Sequence, residues 1–100
     1  MFIAMNRFRI ARGREDDFEE LWRKRESHLD GVPGFREFHL LRGPQDEEMT
    51  LFASHTVWES EGDFEAWTKS ESFKKAHANA RAPEGTYLGH PVFEGFEVVL

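Results

Sequence analysis

Asn6, His77 and Arg25 each stand where the surrounding pattern asks for an apolar side chain. Asn6 is in phase with Phe2, Ala4, Phe8 and Ile10 along an alternating stretch, on the side that should face a core. Asn is a poor strand residue, and a buried amide without partners costs roughly 1–3 kcal/mol. It is either bonded to nearby backbone, or marks a bulge, or projects into a pocket as a donor. His77 falls on a helical stripe of Phe73, Ala76, His77 and Ala80, taking about 100° per residue. Such an imidazole is either a satisfied core residue or a ligand. Ala76 and Ala80 leave space beside it, a neutral ring with one free nitrogen suits iron, and a flat macrocycle fits over such a face. Arg25 interrupts the stripe Phe18, Leu21, Trp22, Leu29, where an unpaired guanidinium would be expensive. Its tip either snorkels past the core or pairs with a carboxylate, the protein's own or a ligand's.

Trp67 shares a helix face with Phe64 and reads, by itself, as core. The other histidines, 28, 39, 55 and 90, have no HxxxH or HExxH spacing, although His39 and His55 fall on neighbouring strands and are placed to pair across a sheet. GxGxxG, Walker and GxSxG motifs are absent, which removes support for nucleotide binding and for serine hydrolysis. With no cysteine, disulfides, thiolate catalysis and cysteine-based metal sites are excluded. A net charge of −6 repels phosphate backbones, and Arg7, Arg9, Arg12 and Arg14 are followed at once by Glu15, Asp16 and Asp17, so nucleic acid is not an expected partner. No signal-peptide pattern and no apolar run of membrane-spanning length is visible, and the expectation is a cytoplasmic protein.

Elements must hold these residues in place. The alternation over the first residues is a strand, and Gly13 leads into a helix with Glu15, Asp16 and Asp17 in its first turn, favourable at the positive end of the dipole. Its stripe runs to Leu29, and Asp30, Gly31 and Pro33 stop it. Strands are predicted over 35–42 and 49–58, joined by a polar connection over 43–47. Ser60 caps a short helix carrying Phe64 and Trp67, Ser70 caps a second helix over 71–81, and a loop with Pro83, Gly85 and Gly89 precedes a last strand over 92–100. The order β-α-β-β-α-β, with the second α element broken in two, is a ferredoxin-like α+β arrangement: an antiparallel sheet with helices on one face. At 100 residues it should form a single domain spanning 1–100. The strands are apolar on both faces, as Phe96 and Val98 against Phe93 and Val99 illustrate. The face without helices therefore calls for a cover, and a second copy in a homodimer is the natural one.

These residues also carry a resemblance. Phe2-Ile3-Ala4-Met5-Asn6-Arg7 at the start, Thr56-Val57-Trp58-Glu59-Ser60, Phe64-Glu65-Ala66-Trp67 with Lys69-Ser70, and Phe73-Lys74-Lys75-Ala76-His77 resemble the antibiotic biosynthesis monooxygenase (ABM) superfamily over nearly the whole chain. Within it the likeness is to the IsdG-type haem-degrading monooxygenases. The family's Asn–Trp–His set falls on Asn6, Trp67 and His77. The resemblance implies a metal site in which His77 ligates haem iron axially, Asn6 donates a hydrogen bond on the open side, and Trp67 presses on the macrocycle and ruffles it. It also implies that Trp22 lines the pocket and that Arg25 approaches the propionates. Haem is then both substrate and cofactor, opened with O2 and an external electron donor, the iron being released. A dimeric α+β barrel, formed by two sheets with one pocket per subunit, is implied too.

The segment 82–91 departs from the family by being short, which bears on how the ring is enclosed. Two other readings stay open. A cofactor-free ABM-type monooxygenase would use the same pocket on a quinol or polyketide-like aromatic, and a haem carrier would bind without turnover. His77 in the iron-ligand context argues against the first.

Overall fold

The computed structural model describes residues 1–24, 29–78 and 83–100, and no side chain over 76–78. Seven elements follow in the order β1 (Phe2–Ala11), α1 (Glu15–Lys24), β2 (Phe35–Gln45), β3 (Met49–Trp58), α2 (Glu61–Thr68), α3 (Glu71–Ala78) and β4 (Val92–Glu97). The strands form one antiparallel sheet of order β2-β3-β1-β4. This is the ferredoxin-like order, with β1 inside the sheet between β3 and β4.

The alternation along β1 decides which face is covered. Phe2, Ala4, Phe8 and Ile10 are buried, and the helices lie on their side. Phe8 packs against Phe18 and Trp22 of α1, with ring centroids 5.3 and 5.9 Å apart, and Phe2 meets Phe64 of α2 at 5.6 Å. The core on this face is two clusters. One gathers Phe2, Ala4, Leu29 and Trp58 under α2, the other Phe8, Ile10, Phe18 and Phe52 under α1. Burying each large side chain of this kind contributes about 1.5–3 kcal/mol.

Local chemistry fixes the helix starts. At α1 the Glu15 carboxylate accepts from the Gly13 N–H at 2.7 Å and from the Thr50 hydroxyl of β3 at 2.8 Å, with Arg12 3.2 Å away. Its pKa is held down to about 2 from an ordinary 4.5, first by its own backbone N–H, then by Thr50, and further by Gly13 and the Arg12 charge, against an opposing cost of burial. The Ser60 cap is present, its hydroxyl accepting from the Asp63 N–H at 3.1 Å. Ser70 does two things: its hydroxyl accepts from the Phe73 N–H at 3.2 Å and donates to the Trp67 carbonyl at 2.6 Å, closing α2 while opening α3. Trp67 is thereby tied to the start of the helix that carries His77.

Two strand boundaries differ from expectation. Strand β2 runs on to Gln45, through Gly43 and Pro44, with a register shift between Arg42 and Gln45. Proline lacks a donor but is tolerated at an irregularity on an edge strand. The turn is then made over 46–48, where the Asp46 carboxylate accepts from the N–H groups of Glu48 (2.7 Å) and Met49 (2.9 Å). Strand β4 stops at Glu97 because its partner ends: Glu97 pairs with Phe2, and past it only the Val98 N–H reaches Met1. Helix α1 is described to Lys24, and 25–28 are outside the described residues; Leu29 lies in the turn beyond, buried in the α2-side cluster.

Candidate functional site

A polar row crosses the helix-covered face of the sheet between the two aromatic clusters. Asn6 of β1 pairs with Ser54 of β3 on one side and with Phe93 of β4 on the other, and Ser54 in turn pairs with Leu40 of β2. Cross-strand partners share a face, so Phe93, Asn6, Ser54 and Leu40 lie side by side. The other described hydroxyls of β3 on this face are accounted for. Thr50 donates to Glu15, and Thr56 donates to the Ala4 carbonyl (3.4 Å) while accepting from the Trp58 indole N–H (2.9 Å). Neither the Asn6 amide nor the Ser54 hydroxyl has a hydrogen-bond partner among the described residues. Neither is among the buried polar atoms that lack a partner, so both reach the open space above the sheet, where two neighbouring polar groups are available to a ligand.

Aromatic rings stand on both sides of this row. On the α1 side Trp22 stacks on Phe38 of β2, centroids 5.6 Å apart and planes 19° from parallel, with its edge toward Phe8 and Phe18. On the α2 side Phe64 lies parallel to Phe93 at 5.5 Å, and Trp67 meets Trp58 at 5.5 Å and the Phe73 ring edge-on at 4.8 Å. His77 lies on α3, one helical turn beyond Phe73. The segment before β4 adds Tyr87, whose ring packs on Phe18 at 5.8 Å while its backbone bridges to Ile10. Polar floor, aromatic walls and a histidine-bearing helix suit a flat, largely apolar ligand with a polar centre.

A separate cavity of about 310 Å³ lies between the turn after α1 (Gly31–Pro33) and the α2–α3 junction. Trp67 lines it, but Asn6, Ser54 and Trp22 do not, and it carries Asp30 and Asp63. Two carboxylates there are the wrong charge for an acidic ligand.

Of the residues expected from the sequence, Asn6, Trp22 and Trp67 lie on the same side of the sheet, each partly buried. His77 is placed by its helix; Arg25 is outside the described residues. His39 and His55 do pair across β2 and β3, rings 6.2 Å apart, but on the opposite face. Among the described residues no group of three or more His, Asp or Glu could hold a metal ion by itself, and no helix is long and apolar enough to cross a membrane. Ser54, Phe93 and Phe38 were not singled out by pattern. Ser54 alternates with Thr50, Phe52, Thr56 and Trp58, a mixture from which no inward face can be read until the β1–β3 register is known.

Known proteins share this fold and part of this sequence. A protein of Staphylococcus haemolyticus named heme oxygenase (staphylobilin-producing) is 34% identical over 79 residues, covering 79% of this chain and 75% of its own. A heme-degrading monooxygenase of Shouchella clausii is 37% identical over 67 residues, 66% of this chain and 63% of its own. Among solved structures, the heme-degrader MhuD of Mycobacterium tuberculosis, with two hemes bound in its active site, superposes with a TM-score of 0.78 at 30% identity, over all of this chain and 97% of that one. The family model for antibiotic biosynthesis monooxygenases matches residues 1–79, which include β1, Asn6, Ser54, Trp67 and His77. The chain belongs to the antibiotic biosynthesis monooxygenase family.

Proposed function

We propose that this protein is a haem-degrading monooxygenase that binds haem in the cleft over Asn6 and opens the porphyrin oxidatively. The observation that carries the reading is the open Asn6 amide, beside Ser54 and between aromatic walls, on the face that carries the helices. A porphyrin is flat and apolar with a polar metal centre, and these residues fit it. The names of the relatives at 34% and 37% identity, and of MhuD, point the same way.

When bound, the iron supplies the oxygen chemistry. His77, carried on α3, would hold the iron from the helix side. Asn6 would hold a hydrogen bond on the open side, from strand β1, which is paired on both edges. Trp67, braced by Trp58, Phe64 and Phe73, would press on the ring, and Trp22, stacked on Phe38, would close the α1 side. Arg25 approaches the propionates. Electrons come from an external donor, as a reducing cytoplasm provides. The uncovered sheet face, with Leu41 and Phe96 exposed at 41% and 44%, is closed by a second copy, giving a homodimer with one cleft per subunit.

The test is an absorbance titration with haemin, carried past two equivalents because MhuD holds two hemes in its active site, followed by ascorbate and catalase in air. A saturating Soret band, lost on reduction as a bilin-like band rises, is the expected result. A Soret band that persists would make the protein a carrier. No saturable band would end the haem reading and turn attention to quinol-like substrates. His77→Ala should abolish the ligated spectrum while leaving the fold intact by circular dichroism.

A further inference from the structure

Ser54 stands directly across from Asn6 in the β1–β3 register, so the two Cβ atoms are about 4.5–5.5 Å apart on the same face. It is 7% exposed, yet its hydroxyl has no partner among the described residues and is not sealed off from the space above the sheet. Thr50 and Thr56, the other hydroxyls of this strand on the same face, are bonded within the protein, so Ser54 is the one that stays open to a ligand. Its other neighbours in the row are the apolar Leu40 and, beyond Asn6, Phe93. The only polar atoms this row offers to a ligand are thus the Asn6 amide and the Ser54 hydroxyl.

We propose that Ser54 is a second hydrogen-bonding residue of the cleft, donating beside Asn6 to the small polar ligand held on the open side of the ring. The proposal rests on the haem reading above and deepens it. A hydroxyl both donates and accepts and its hydrogen rotates freely, so Ser54 follows the far end of a two- or three-atom ligand whose near end the amide holds. Two donors on adjacent strands, fixed by the sheet rather than by a loop, define the direction in which such a ligand leans across the ring.

The experiment is an azide titration of the ferric haem-loaded protein, followed at the Soret band, for the unsubstituted chain, Ser54→Ala, Ser54→Thr and Asn6→Ala. Ser54→Ala should weaken azide roughly 3- to 10-fold, the net worth of one hydrogen bond, while haem affinity and the azide-free spectrum stay as they were. Ser54→Thr retains the hydroxyl and should restore azide binding; it also serves if the alanine variant does not fold. Asn6→Ala should weaken azide as well, and the Asn6→Ala/Ser54→Ala pair more than either. Unchanged azide affinity in Ser54→Ala, with haem titrating normally, would overturn the role of Ser54 alone. So would an equal loss in Ser54→Thr, or a parallel loss of haem affinity, either of which would make the residue a packing group. Failure of the unsubstituted chain to bind haem saturably is a different result: it sinks the haem reading, and this inference with it.

Discussion

The contrast between Asn6 and Thr56 shows what a single residue contributes here. Both are polar groups on the helix-covered face of adjacent strands, but Thr56 bonds to Ala4 and Trp58 whereas the Asn6 amide has no partner among the described residues. The first stabilises the sheet, and the second, half-buried, keeps a donor open to the space above it. Asn6→Leu adds apolar surface beside the two clusters and should stabilise the unliganded protein, by about 1 kcal/mol, while lowering haem turnover about 10-fold or more, since a positioned donor at a reacting centre is worth at least that. Urea midpoints and single-turnover rates measure the two effects. A variant that lost activity and stability together would place Asn6 in the structure rather than in the chemistry.

Glu15 is a residue whose state is set by its element. Its carboxylate joins the turn at Gly13, the first turn of α1 and Thr50 of β3. Because its folded pKa of about 2 lies below the ordinary 4.5, the contribution is fully present above about pH 4.5 and is lost as the pH falls through that interval toward 2. Glu15→Gln should remove this acid-sensitive part, so that the stability gap between variant and parent shrinks between pH 5 and pH 3 in urea titrations. A gap that did not change with pH would mean the carboxylate contributes by packing alone. A second element-scale constraint lies at Gly34, where φ is +82° and a Cβ would overlap the Asp63 side chain of α2. Gly34→Ala meets both backbone strain and a collision, and should destabilise by roughly 1–3 kcal/mol, read as a lower urea midpoint.

Much at the element scale was legible in the sequence. Ser60 and Ser70 cap the two helices as their spacing indicates, and the alternation Phe2, Ala4, Phe8, Ile10 identifies the buried face of β1, with Asn6 as its exception. What was not legible depends on residues far apart in the chain. The end of β4 is set by where β1 begins, and the extension of β2 by a bulge opposite β3. Ser54 gains its meaning only from standing across from Asn6, 48 positions away in the chain yet adjacent in the sheet.

At the scale of the molecule, the sheet has one helix-covered face and one that is not. On the uncovered side Ile3 pairs with Val57 and Phe96, an apolar band across three strands. Homodimerisation through it predicts sedimentation at twice the mass of one chain, and Phe96→Asp should shift the protein toward the single-chain mass at micromolar concentration. Sedimentation of the unsubstituted protein as one chain at that concentration would remove the dimer.

The divided core has a further effect, on how long the protein lasts. Two clusters lie on either side of the Asn6–Ser54 pair and touch through the Trp22–Phe38 stack, so a seated ring would add a further layer between them. Binding at 100 times Kd adds about 2.7 kcal/mol to the folded state, and the reaction then consumes the molecule that supplied it. A chain that has run out of substrate lacks that added layer and should open more often to proteases. Its abundance would then follow haem supply without a separate control, and limited proteolysis with and without haemin would reveal the difference as a change in cleavage rate.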